Sequence, residues 1–325
     1  MAALSIPKLA NQIKTEADAY EFLERMRWGD GVVCPHCDHD KAYFLKAQNG
    51  GRQTRTGTIS ERRVWKCASC RKQFSALTGT IFHGSKIPVR TWLFVVFEMC
   101  SSKNGVSARE IERKYGLHPK SAWFMTHRIR EAMKRDPLAG LLRGAIVADE
   151  SYIGGKPKLP NGTLKPQTGK RLRKDKPAVV SLINTSTGEV RSRVVPWVDG
   201  HKLREVLRDE VDIPNSTLQT DEAGHYKAIG REFQSHDAVW HSGGEYVRYE
   251  GGRTITSNQA ENFFSQLKRS IDGTHHRVSR EHLQRYLAEF DFRYSTRKTT
   301  DTGRMETLMR QVGGKRLTYR PLTGR

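Results

Sequence analysis

Four of the chain's five cysteines fall in two C-x-x-C knuckles, Cys34-Pro35-His36-Cys37 and Cys67-Ala68-Ser69-Cys70, and nothing else in the sequence limits the N-terminal fold as much. Each knuckle lets two thiolates converge on one ion, and two knuckles complete a tetrahedral sulfur site for zinc. A redox C-x-x-C stands singly, so a doubled one reads as a metal site. His36 and His39 are alternative ligands that rank below the thiolates. The intervening segment carries Tyr43-Phe44-Leu45 and Val64-Trp65-Lys66, which read as short strands joined by a Gly-rich hairpin from Gly50-Gly51 to Gly57. This pattern predicts a zinc ribbon. With all four positions filled by protein, the zinc is structural. Cys100 lies in an apolar helical stretch and reads as a core thiol.

Charge narrows the partner. Among 325 residues, 56 Lys and Arg face 35 Asp and Glu, a formal net charge of +21. Neutralising phosphates releases counterions, so such a surplus suits a polyanion, although a basic surface alone is also compatible. Basic residues thicken at Lys156 to Lys176, where Lys170, Arg171 and Arg173 sit in a Pro- and Gly-rich loop. Residues 1–14 lack the apolar core of a secretory signal, and the run Trp92 to Phe97 is too short for a bilayer. The expectation is a soluble cytoplasmic protein without a membrane partner, associated with the nucleoid when on DNA.

After Pro88, apolar Trp92, Val95, Val96 and Met99 recur at helical spacing. Ser107 can cap a second helix, with Glu110 completing a capping box, and Gly116 can close it. Pro119 can open a third helix through Trp123, Phe124 and Ile129. Helix, short turn, helix is the outline of a helix-turn-helix, and also of a plain helical linker. On the DNA-reading alternative, Lys120, Ser121, His127, Arg128 and Arg130 face a groove or phosphates.

From about residue 144 the pattern becomes strand-like. Ala145-Ile146-Val147-Ala148 predicts a central strand ending at Asp149, followed by Glu150. Ala178 to Ile183 and Val190 to Val195 flank a turn at Asn184 to Gly188 and predict a hairpin. His201 to Val211 carries Leu203, Val206, Leu207 and Val211 on one helical face, and Thr217 to Thr220 predicts a strand ending at Asp221 and Glu222. Asn258 to Ile271 is an amphipathic helix with Ala260, Phe263, Phe264, Leu267 and Ile271 as its stripe. Glu261, Ser265 and Lys268 share a second face of it. Two strand-end carboxylates and one on a helix suit phosphodiester chemistry with two divalent ions about 4 Å apart. Magnesium takes hard oxygen ligands and keeps waters, so two or three carboxylates suffice.

Several stretches together are specific. They are the double knuckle with Phe74 and Thr78-Gly79-Thr80-Ile81-Phe82, and Val147-Ala148-Asp149-Glu150-Ser151-Tyr152-Ile153-Gly154-Gly155. Further along come Thr220-Asp221-Glu222 with His225-Tyr226, His241-Ser242 with Glu245-Tyr246-Val247-Arg248, and Ser257 through Arg269. From Cys34 to about Arg297 the chain resembles the DDE transposases of bacterial insertion sequences, in the zinc-ribbon branch related to Merlin elements. The resemblance implies a ribonuclease-H-like α/β (α+β) core in which Asp149, Asp221 and Glu261 hold two Mg2+ (or Mn2+) ions. It implies that Lys268, with Arg269 beside it, touches DNA. Asn258 is the competing third position, and Phe264 stands where relatives commonly carry Trp.

The implied division is a helical segment (1–30), zinc ribbon (31–84), helix-turn-helix-like segment (85–137), catalytic domain (138–298) and basic tail (299–325). The implied function is binding of terminal inverted repeats, metal-dependent cleavage and strand transfer into target DNA, by a homodimer or larger assembly. The alternatives are a nuclease on the same fold and an inactive DNA-binding regulator.

Overall fold

The structure is a computed structural model that describes all residues except 1–3, 30, 47–51, 54–58, 61, 136–138, 155–175, 241–246, 251–252 and 324–325. The chain forms two compact units: residues 1–133 with 299–325, and residues 134–298. Among the described residues, no helix is long and apolar enough to cross a membrane.

The first unit begins with α1 (Ile6–Gln12) and α2 (Glu16–Trp28). Thr15 and Asp18 bond reciprocally in a capping box at the start of α2. The ribbon follows as β1 (Ala42–Phe44), β2 (Arg52–Gln53), β3 (Ile59–Ser60), β4 (Trp65–Cys67) and β5 (Gln73–Phe74). Strands β1, β4 and β5 make one antiparallel sheet, and β2 pairs with β3 as the inner hairpin. Buried Glu24 of α2 accepts from Arg63 Nε and Trp65 Nε1, both at 2.8 Å, which fixes the helix to the ribbon.

Helix α3 (Val89–Ser101) starts directly after Pro88 and buries Trp92, Val95, Val96, Met99 and Cys100. Glu16 satisfies two of its orphan amides, accepting from Val89 N at 2.5 Å and Arg90 N at 3.0 Å. Helices α4 (Ala108–Tyr115) and α5 (Pro119–Met133) follow, with Gly116 left-handed at φ 60° between them. Ser107 accepts from Glu110 N at 3.1 Å, but the Glu110 carboxylate pairs with Lys114 at 2.8 Å, so half of the expected capping box forms. Buried Glu98 ties α3 to α4 by accepting from Lys114 Nζ at 3.2 Å and Tyr115 Oη at 2.9 Å.

The second unit is a five-stranded mixed sheet. Its strands are β6 (Leu142–Tyr152), β7 (Ala178–Asn184), β8 (Val190–Val195), β9 (Val211–Asp221) and β10 (Ser235–Val239), in the order β10-β9-β6-β7-β8. The contacts β6–β9 and β9–β10 are parallel, and β6–β7 and β7–β8 are antiparallel. Helix α6 (Gly200–Glu210) connects β8 to β9. A hairpin of β11 (Val247–Glu250) and β12 (Arg253–Thr256) leads into α7 (Asn258–Ser270), and α8 (Arg280–Ser295) follows. Every residue of β7 is buried, as expected of a strand covered on both faces.

Side chains alternate across the sheet and divide the core in two. Ile146, Ala148, Val180, Leu182 and Leu218 pack with Leu203, Val206 and Leu207 of α6 on one face. Val147, Val179 and Ile183 pack with Ala260, Phe263, Phe264, Leu267, Leu283, Leu287 and Phe290 of α7 and α8 on the other.

Two expectations need correction. Strand β6 does not end at Asp149. It runs on to Tyr152, because β7 pairs with it through Tyr152↔Ala178, while its ladder with β9 stops at Val147↔Gln219. Residues 299–325 are not merely a polar basic tail either. They contain α9 (Asp301–Arg310), which buries Met305, Leu308 and Met309 in the first unit. Three apolar side chains on one face in a polar stretch are enough to dock a helix.

Candidate active site and metal centre

The ribbon brings the four predicted thiolates together. All four Sγ atoms lie within 4.8 Å of one another, with Cys34–Cys70 at 3.7 Å and Cys37–Cys67 at 3.6 Å. A tetrahedron with zinc–sulfur bonds of about 2.3 Å has sulfur–sulfur edges of about 3.8 Å, so the residues present fit the ion. The two knuckles are built alike. Asp38 and Arg71, each just after a second cysteine, take φ of 56° and 60°. Cys34 N donates to His39 O and Cys67 N to Lys72 O, both at 3.0 Å. His36 N donates to Cys34 Sγ at 3.4 Å, a contact that favours a thiolate. Among the described residues, the group able to hold a metal at this ribbon consists of the four cysteines, without His36 or His39.

The sheet positions the aspartates. The register Val147↔Gln219, advanced by two residues on each parallel strand, sets Asp149 level with Asp221 at the end of β9. Side-chain alternation puts both on the face covered by α7, where Glu261 lies in the helix's first turn. Electrostatics report the same grouping. Burial pushes the Asp149 carboxyl up to about 7, and the charges of Glu150, Asp221 and Glu261 add to that rise against the lowering effect of the Glu150 amide. Glu150 N donates to Asp149 Oδ1 at 2.7 Å, and Ala223 N donates to Asp221 Oδ1 at 3.0 Å. Each aspartate is thus oriented through one oxygen. Ser257 Oγ approaches Glu261 Oε1 at 3.4 Å. Glu261 is exposed at the helix surface, and the hard oxygens of the three carboxylates suit Mg2+ or Mn2+.

Asn258, the competing third position, is exposed at the first position of α7, and its backbone N donates to Thr256 Oγ1 at 3.1 Å. Lys268 and Arg269 are exposed in the last turn of α7, with Arg269 Nη2 donating to Ser265 Oγ at 3.0 Å. Lys120 is exposed at the start of α5. Arg128 and Arg130 differ from expectation. They are only 4% and 1% exposed, so neither presents a guanidinium to a groove. Arg128 Nη2 donates to His83 O at 2.6 Å while its guanidinium lies over the Trp92 and Phe124 rings, and Arg130 Nη1 donates to Thr126 Oγ1 at 3.2 Å. Met125 through Arg130 are all buried, so α5 inserts Arg128 and Arg130 together with its apolar residues. Lys170, Arg171 and Arg173 lie outside the described residues.

One side chain near the aspartates had no role assigned from sequence. Tyr226, fully buried, donates its hydroxyl to Glu150 Oε2 at 2.7 Å on the α6 face of the sheet. Burial and the Glu150 charge push its phenol well above the usual range. The His225-Tyr226 pair in the sequence was the available signal.

The chain therefore combines an N-terminal four-cysteine ribbon with a mixed α/β unit carrying grouped carboxylates. Residues 14–73 match the transposase zinc-ribbon domain and residues 141–295 match the ISXO2-like transposase domain. The chain belongs to the ISXO2-like DDE transposases with an N-terminal zinc ribbon. It is similar to an uncharacterized protein in transposable element ISH50 of Halobacterium salinarum, 24% identical over 287 residues, which cover 86% of this chain and 90% of that one.

Proposed function

We propose that this chain binds the terminal inverted repeats of its own element, cleaves the DNA there and joins the freed 3′ end to target DNA. The observation that carries this reading is that Asp149 and Asp221 stand level on one face of the central sheet, the face packed by the helix whose first turn carries Glu261. The core is ribonuclease-H-like in this account, and the three carboxylates hold Mg2+ or Mn2+. Bound there, two divalent ions would stabilise the attacking and leaving oxygens of the phosphodiester. Asp149 and Asp221, each tethered through Oδ1, offer their second oxygen. Glu261 is supplied by the first turn of α7, whose apolar stripe packs against residues of β6 and β7. Lys268 and Arg269 supply phosphate contacts. The four-cysteine zinc centre and the exposed Lys120 end of α5 recognise the element ends, α4–α5 acting as a helix-turn-helix. A homodimer or larger assembly holds the two ends together.

The test is to incubate the full chain with Mg2+, a duplex of its element's terminal sequence and a target plasmid. Cleavage at the element end followed by joining supports the reading. Cleavage without joining would make it a nuclease. Binding with neither would make it a regulator.

A further inference from the structure

Gln219 interrupts an otherwise explicable strand. It lies on β9 two residues before Asp221, on the same sheet face, and is 5% exposed. Its carboxamide is satisfied from one place. Nε2 donates to Thr254 O at 3.2 Å, and Oε1 accepts from Thr256 N at 3.3 Å. A residue on a parallel neighbour strand bonds to a carbonyl and an amide in this way, two positions apart on either side of its partner. The side chain of Gln219 therefore acts as a piece of strand backbone against β12 at Ile255, which is itself fully buried. Thr256 is the last residue of β12, Asn258 opens α7, and Glu261 falls in that helix's first turn.

We infer that Gln219 is a positioning residue that locks the β12–α7 junction, and with it Glu261, to the strand carrying Asp221. This inference rests on the reading of the three carboxylates as the metal site. Gln219 acts through the backbone of Thr254 and Thr256. It sets how far the helix-borne carboxylate stands from the two strand-borne ones. Partners that orient metal ligands without binding the ion are worth roughly 10–100-fold in metal affinity.

The experiment uses the full-length chain with Gln219→Met, which keeps length and volume but has no amide. Mn2+ binding is followed by electron paramagnetic resonance of the free ion, and hydrogen exchange is followed in peptides spanning residues 254–262. Gln219→Glu, which keeps the acceptor and loses the donor, serves as the second variant. The expected result is Mn2+ affinity about tenfold weaker in Gln219→Met. Exchange should be faster in residues 254–262 and unchanged in β6 and β7. Gln219→Glu, if Gln219→Met does not fold, should show the same accelerated exchange. Unchanged Mn2+ affinity and unchanged exchange would overturn the inference. Asp149→Asn is measured in parallel. If it binds Mn2+ as wild type does, the carboxylate site is wrong and the inference falls with it. If Asp149→Asn loses Mn2+ while Gln219→Met keeps both wild-type affinity and exchange, the site stands and only the role of Gln219 fails.

Discussion

Two kinds of cation separate at the level of single residues. Lys268 is exposed on α7, whereas Arg128 is buried over two aromatic rings. Lys268→Ala is expected to weaken DNA binding for all sequences and to reduce the salt slope by about one, with thermal stability unchanged. A titration of binding against salt checks this. Arg128→Ala is expected to lose roughly 1–3 kcal/mol of stability, because His83 O loses its donor and the rings lose their cation. Urea unfolding reads that loss, and an unaltered midpoint would show that the buried contacts carry little. Sequence could identify the arginines but not their burial, because burial of a charged residue depends on partners, here His83 O and the Trp92 and Phe124 rings, that the fold brings together. The thiolates were legible because two C-x-x-C turns leave few geometries, and the positive φ after each second cysteine gave no sequence signal at Asp38 or Arg71.

Among the elements, the edge strand β8 shows what sequence could not supply. Its outward amides are met by side chains of α8: Val190 N by Ser295 Oγ at 2.9 Å, Ser192 N by Asp291 Oδ2 at 2.8 Å and Val194 N by Gln284 Oε1 at 2.9 Å. A helix thereby closes the edge of the sheet. The helical spacing of Leu283, Leu287 and Phe290 stands in the sequence. The role of the polar residues bonding β8 does not, because they mean nothing until strand order is known. Burial pushes the Asp291 carboxyl up to about 7, against the lowering effect of the Ser192 bonds. A raised carboxylate binds a proton in the folded state that the unfolded chain has already lost. Its contribution is present below the unfolded value of about 4 and falls away as pH rises to about 7, by at most roughly 4 kcal/mol. Asp291→Asn should flatten that fall, as seen by urea unfolding at pH 5 and pH 8. An unchanged pH slope would contradict the assignment. In the ribbon, Cys37→Ser should lower bound zinc from one ion per chain toward none by elemental analysis and unfold the ribbon, since structural zinc contributes folding free energy directly.

For the whole molecule, the sequence inserts the carboxylate unit, residues 134–298, between the two segments that make up the first unit, with α9 returning to the latter. The order β6, β7, β8, α6, β9 and α7 was legible from alternating and helical periodicity, whereas β10 and the β11–β12 hairpin were not read from the sequence. The parallel register that sets Asp149 level with Asp221 required the sheet itself. The central claim is that these two aspartates and Glu261 form one metal-dependent DNA-cleaving centre. The most direct test is Mg2+-dependent cleavage and joining of a labelled element-end duplex by wild type, Asp149→Asn, Asp221→Asn, Glu261→Gln and Asn258→Ala. Losing a ligand should cost more than the roughly 100-fold at which loss of a ligand's orienting partner is capped. The first three variants should therefore fall below about a hundredth of the wild-type rate with duplex binding intact, while Asn258→Ala keeps most activity. Retention of cleavage by any of the three, or its loss in Asn258→Ala alone, would contradict the account.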